Sequence, residues 1–163
     1  IGTGSGCIAI SLATEVPRCE IVAVDREPAA LELARENAAC HNVATRIKFI
    51  QGEFCAGLPT ASLDALVSNP PYIASHTCEQ LPTLIRDFEP RSALDGGTDG
   101  LEVLRHLIPD AAMALKPHGW CFLEIGHDQG EAVRARLGQA GFTDITIARD
   151  LAGQIRFAQA RIP

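Results

Sequence analysis

A chain of 163 residues is long enough for one domain with a substantial core and too short for two ordinary ones. Its 47% hydrophobic and 21% charged residues place it among globular proteins, and no apolar run reaches the length of a membrane span. A net charge of −6, with acids and bases interspersed, argues against a protein that holds nucleic acid chiefly through its phosphates; neither a nucleic-acid nor a membrane partner is expected.

The chain opens on "IGTGSG". A glycine-rich turn of this kind normally follows a strand, so the sequence reads as a piece of something longer, cut just upstream of its first loop, with the first strand absent. "CIAISLATEV" then carries helical spacing and stops at Pro17, and "EIVAVD" (20–25) is a short apolar strand ending on an acid. Pro28 suits the first turn of a helix, in which Leu31, Ala34 and Ala38 share one face. "RIKFIQ" (46–51) and "LDALVS" (63–68) read as strands. Residues 73–98 hold few regular signals, and a stretch of that length is expected to be functional or locally helical.

"GLEVLRHLIPDAAMALKP" is expected to form a helix disturbed at Pro109. "WCFLEIG" (120–126) is a strand, and "DQGEAVRARLGQAG" a helix closed by Gly141. "FTDITIA" and "QIRFAQARI" close the chain as two strands joined by the turn "RDLAG". Strands alternating with helices predict an α/β fold, a doubly wound and mostly parallel sheet covered on both faces, with the last two strands antiparallel neighbours. The six cysteines form no Cys-x-x-Cys pair and read as incidental thiols in a reducing cytosol; the five histidines are scattered, and no metal site is expected.

Two stretches carry chemistry. In "GTGSG", glycine lets the backbone take positive φ and lets a ligand approach closely, at the carboxyl edge where doubly wound sheets bind nucleotides. Cys7 stands where the dinucleotide fingerprint wants glycine or alanine, so the spacing is G-x-G-x-G and tilts the ligand away from a pyrophosphate. Asp25 ends the next strand, where a carboxylate can accept from both ribose hydroxyls; the plainer alternative is a strand-end aspartate capping the following turn.

The second stretch is "VSNPPYIAS" (67–75). Proline fixes its own φ and holds the preceding residue extended, so Asn69 and Pro70 are both restricted. The Asn69 side-chain oxygen and the Pro70 carbonyl are two acceptors, and Tyr72 adds a flat face. Such a loop suits a planar –NH2 group whose two hydrogens both need partners, leaving its lone pair aimed at an electrophile. With a sulfonium methyl as electrophile, no strong base is needed before transfer. The plainer alternative is a rigid turn that only ends the strand.

Together "GTGSG", "VDREP", "VSNPPYI", "FEPRSAL" and "LEIGHDQGEAV" resemble the HemK/PrmC-type peptide chain release factor glutamine methyltransferases over nearly the whole chain. The resemblance implies a class I S-adenosylmethionine-dependent methyltransferase domain over residues 1–163, Rossmann-like and truncated at its first strand, without the helical domain such proteins carry upstream. It implies methylation of the Gly-Gly-Gln glutamine of a release factor in the cytoplasm. It further implies that Gly2, Thr3, Gly4, Ser5 and Gly6 wrap the methionine part of the cofactor and that Asp25 holds its ribose. Glu53 and Phe54 match the adenine-contacting segment, with Glu53 where the family usually has aspartate. Asn69, Pro70, Pro71 and Tyr72 match the glutamine-binding loop, with Asn69 also near the cofactor and Asn69, Pro70 and Tyr72 as the catalytic set. Glu89 would shape the substrate side. Other readings are methylation of a ribosomal-protein glutamine or of adenine N6, or a silent fragment that keeps a nucleotide-binding fold.

Overall fold

A computed structural model describes residues 1–163, which divide into two units, Ile1–Gly57 and Leu58–Pro163. The first unit contains α1 (Cys7–Glu15), β1 (Ile21–Asp25), α2 (Pro28–Cys40), a 3-10 turn (Ala44–Arg46) and β2 (Ile47–Gln51). β1 and β2 run parallel, in register from Ile21 opposite Ile47 to Asp25 opposite Gln51. Pro28 occupies the first turn of α2, where its missing N–H costs no helical bond. The predicted face of that helix is the buried one: Leu31, Ala34 and Ala38 are each at most 2% exposed. Ala9, Ile10 and Ala13 of α1 pack with Ala23, Ala38, Val43 and Ile47 into the unit's core. The small side chains let helix and strand backbones come close.

Gly6 shows how close. It precedes α1 with φ +84°, and a Cβ built there would sit 3.1 Å from the Ala34 Cβ and 3.2 Å from the Ile10 Cδ1. Gly6→Ala is therefore expected to destabilise the protein by about 1–3 kcal/mol, combining left-handed backbone strain with overpacking. Gly2→Ala, with nothing within 4 Å of the added Cβ, should carry the backbone cost alone. Denaturant midpoints of the two variants check this; equal shifts would show that the contact with α2 is immaterial.

The second unit begins with β3 (Leu63–Ser68), followed by three single-turn helices, α3 (Ser75–Cys78), α4 (Thr83–Arg86) and α5 (Arg91–Leu94). Then come α6 (Glu102–Ala114), β4 (Leu115–Glu124), α7 (Gly130–Gln139), β5 (Thr143–Arg149) and β6 (Ile155–Arg161). The strand order is β3-β4-β6-β5, with β3 and β4 parallel and β6 antiparallel to both its neighbours. Leu104, Leu107, Ile108 and Ala111 form the buried stripe of α6, and Val133 and Leu137 that of α7. Gly141 closes α7 at φ +90°, with Phe142 N–H donating to the Leu137 carbonyl and Gly141 N–H to that of Gly138.

The expected α/β fold with antiparallel closing strands is present, and its strands pair as two sets, a β1-β2 pair and the four strands of the second unit. Two finer expectations are adjusted. α6 runs unbroken through Pro109, an exposed residue, so solvent can reach the carbonyl that loses its helical donor. The helix also ends earlier than the sequence suggests: Leu115 already belongs to β4, and the register slips between the Leu63–Leu115 and Ala65–Trp120 pairs, with His118 at φ +67°. Residues 73–98 are locally helical, as expected. No helix is long and apolar enough to cross a membrane.

Candidate functional site

The predicted site residues fall in two groups, one in each unit. In the first, Gly2 and Gly4 lie at φ +65° and +54°, and added Cβ atoms there would meet nothing within 4 Å. Their glycine character is thus a matter of backbone conformation, and open space remains in front of the loop. The loop is tied down on both sides. Thr3 N–H donates to the Val24 carbonyl of β1 at 3.0 Å, and the Asn37 side-chain amide of α2 donates to the Ser5 carbonyl at 2.9 Å.

Asp25 is 9% exposed and occupied. Its Oδ2 accepts from Gly4 N–H at 2.8 Å and its Oδ1 from Glu27 N–H at 3.0 Å. The Glu27 bond is the turn-capping role weighed against ribose binding; the Gly4 bond goes further and fixes the glycine loop against the end of β1. A carboxylate oxygen has two lone pairs, so each oxygen can accept once more, and both roles are compatible.

The next strand end lies alongside. Gly52 N–H donates to the Asp25 carbonyl at 3.0 Å, bringing the β2–"GEF" turn to the same carboxyl edge. Glu53 is exposed and makes a loose ion pair with Arg26 at 3.8 Å, which solvent screens. Phe54 takes φ +50°. A left-handed phenylalanine costs about 1 kcal/mol, and such strain persists where surrounding contacts enforce it, often beside a ligand.

In the second unit the Asn-Pro-Pro-Tyr loop follows β3 directly. Asn69 is exposed, Pro70 is buried, and Pro71 and Tyr72 are half-buried. The Tyr72 hydroxyl donates to Glu124 Oε1 at 3.3 Å and accepts from Arg156 Nη1 at 3.1 Å. The same guanidinium lies 5.6 Å from the ring centroid. Burial, and then the Glu124 charge, push the phenol above its ordinary range. It therefore stays protonated at neutral pH and cannot act as a base. Tyr72 serves first as an anchor for the loop, with part of its ring taken by Arg156.

The segment after Tyr72 is clamped to the end of the insertion. Ile73 N–H donates to Leu94 O and Gly96 N–H to Ile73 O, while Ser75 Oγ donates to Asp95 Oδ1 at 2.7 Å. The Ser75 bond, followed by that from Gly97 N–H, holds the Asp95 carboxyl below its ordinary range. The acid that engages this loop is thus Asp95. Glu89 is exposed after α4, and its own backbone N–H bonds Ile85 O at 2.9 Å. Sequence reasoning missed Asn37, Asp95, Glu124, Arg156 and Gln129. Glu124 and Gln129 fell inside the motif "LEIGHDQGEAV" and Arg156 inside the strand "QIRFAQARI", but nothing in the sequence tied them to Tyr72.

A glycine loop bonded to a strand-end carboxylate, at the carboxyl edge of parallel strands flanked by helices, defines a nucleotide-type binding fold. Solved methyltransferases share the whole of it. The ribosomal protein L11 methylase of Lactobacillus delbrueckii subsp. bulgaricus superposes on 99% of this chain and 66% of its own with a TM-score of 0.68 at 21% identity. A Pyrococcus furiosus methyltransferase gives 0.70 over 99% and 71% at 19% identity. The methyltransferase small domain family matches residues 1–88, and the chain belongs to that family.

Among curated relatives, the release factor glutamine methyltransferase of Moorella thermoacetica is 48% identical over 156 residues, 95% of this chain and 55% of the relative. That of Geobacter sulfurreducens is 41% identical over 162 residues, 99% of this chain and 56% of the relative. The chain thus spans a little over half the length of these relatives, and the resemblance noted in its motifs is borne out.

Proposed function

We propose that the protein transfers a methyl group from S-adenosylmethionine to the side-chain amide nitrogen of the Gly-Gly-Gln glutamine of a peptide chain release factor, with residues 1–163 as its catalytic domain. The observation that carries the reading is the Asn-Pro-Pro-Tyr loop, held rigid through the Tyr72 hydroxyl and the Ile73 and Ser75 contacts while Asn69 stays exposed. The relatives' names supply the substrate.

The residues of the first unit fit the cofactor on two counts. The space before Gly2 and Gly4 admits a ligand against bare backbone, and Asp25 keeps lone pairs for a ribose diol. Gly2 to Gly6 would wrap the methionine part and Glu53 and Phe54 the adenine. When bound, S-adenosylmethionine supplies a methyl group on a sulfonium, whose leaving group is already activated.

The protein's task is then orientation. Asn69 Oδ1 and the Pro70 carbonyl each accept one hydrogen of the substrate –NH2, leaving its lone pair free to attack. The same acceptors stabilise the positive charge that develops on nitrogen, and the surplus proton leaves to solvent after transfer. Pro71 stiffens the loop and Tyr72 anchors it. Glu89 would meet the protein substrate on the exposed insertion.

Incubating the protein and S-adenosylmethionine with a release factor, a ribosomal-protein mixture and duplex DNA, followed by mass spectrometry, tests this. One methyl on the Gly-Gly-Gln glutamine is expected. A methyl only on ribosomal protein or adenine would overturn the substrate, and no methyl anywhere the activity.

A further inference from the structure

Gln129 immediately precedes α7, is 7% exposed, and makes no side-chain cap bond to that helix. Its polar atoms point elsewhere. Oε1 accepts from Gly126 N–H, just past β4, at 2.8 Å; Nε2 donates to the Tyr72 carbonyl and to the Gly100 carbonyl, each at 3.0 Å. Both amide hydrogens are thereby used, and one buried side chain joins the Asn-Pro-Pro-Tyr loop, the turn "DGGTDG" (95–100) that precedes α6 and the end of β4.

Two glycines press on the same junction. Gly100 lies at φ +74°, and a Cβ there would fall 2.4 Å from the Tyr72 oxygen and 2.8 Å from Gln129 Nε2. A Cβ on Gly96 would fall 2.8 Å from the Pro71 oxygen and 2.7 Å from that of Gly100. The carbonyls of Pro71 and Tyr72 therefore rest on bare backbone while Gln129 holds one of them by a hydrogen bond.

We propose that Gln129 is a positioning residue for methyl transfer: with Gly96 and Gly100 it sets the Pro71–Tyr72 backbone and so the direction of the Asn69 and Pro70 acceptors. The link is mechanical. Successive prolines leave the loop few soft dihedrals, so a rotation at the Tyr72 carbonyl is passed to Pro70 rather than absorbed. This inference rests on the amide-methylation reading above.

Three variants probe it. Gln129→Glu keeps the shape and the acceptor for Gly126 but turns a non-donor towards two carbonyls. Gln129→Met removes every polar contact, and Gly100→Ala displaces the Tyr72 carbonyl from the other side. With saturating S-adenosylmethionine, each should lower kcat for release-factor methylation by about ten- to a hundred-fold, the scale of a small misplacement of a reacting group. Cofactor affinity should be unchanged. Combining Gln129→Glu with Asn69→Ala should cost less than the product of the two single losses, because both act through the Asn69 acceptor, while the Pro70 carbonyl remains.

Hydrogen exchange supplies a readout without activity. Amides of 69–75 and 96–102 should exchange faster in the variants, while those of β5 and β6 should not. Wild-type kcat in folded Gln129→Glu, or multiplicative losses with Asn69→Ala, would overturn the proposal. Should the unaltered protein methylate no glutamine, the functional reading fails, and unchanged loop exchange would then separately refute the clamp. If the Gln129 variants do not fold, Gly100→Ala carries both readouts.

Discussion

Replacing Asn69 by alanine is expected to lower the rate of glutamine methylation by about two orders of magnitude, the scale seen when one preorganised group facing developing charge is removed. The dissociation constant of S-adenosylmethionine should change far less. An amide nitrogen is a weak nucleophile, and its lone pair becomes available only as positive charge on nitrogen is accommodated. In the proposed reaction Asn69 Oδ1 would be one of the two acceptors that do this, and Asn69 is exposed. Deleting it removes an interaction that strengthens in the transition state, so kcat and kcat/KM should fall together. Single-turnover rates alongside calorimetry with S-adenosylmethionine make the comparison. A variant with near-wild-type turnover would eliminate Asn69 as an acceptor, and one that loses cofactor binding in proportion to turnover would make it a cofactor residue instead.

Asp25→Ala should act in the opposite sense, raising the dissociation constant of S-adenosylmethionine about ten-fold or more through lost charge-assisted hydrogen bonds to the ribose. A stability loss must accompany it. Gly4 and Glu27 N–H both lose an ionised acceptor, and a hydrogen bond to a charged group is worth about 1.5–3 kcal/mol. Gly4 belongs to the glycine loop, so part of the affinity loss should come from a loop held to β1 by the Thr3 bond alone. Asp25→Asn separates the two contributions in part: one oxygen still accepts from backbone, the other backbone N–H loses its acceptor, and the charge proposed to face the ribose is gone. Thermal melts with and without S-adenosylmethionine read both effects. Lowered melting temperatures with unaltered cofactor affinity would leave Asp25 as a turn residue only.

Much of the protein was legible in the order of its residues. Local signals place β1, α2, β3 and the closing strand pair within a residue or so, because Pro28, the alternating apolar strands and Gly141 act over a few positions. The motifs are equally local: a glycine loop needs its own φ values, and a proline pair stiffens its own backbone whatever surrounds it. Less legible was the stretch from Ala114 to Gly119. There the choice between helix and strand depends on pairing with Leu63, 52 positions away in the register of β3 and β4, and on the slip that follows.

What residue types and spacing determine by themselves is therefore the chemistry on offer: backbone that a ligand can approach, an acid at a strand end, and two acceptors on a rigid loop. Only the folded chain decides what holds these groups in place. The Tyr72 phenol, which reads in sequence only as a flat face, is bonded through its hydroxyl to Glu124 and Arg156, 52 and 84 residues further on. Asp95 grips the segment after Tyr72 through Ser75, and Gln129 bonds the Tyr72 carbonyl. Hydrogen bonds of that range leave no period or spacing in the chain, since any residue with the right donor can meet them once the strands and helices have brought it there.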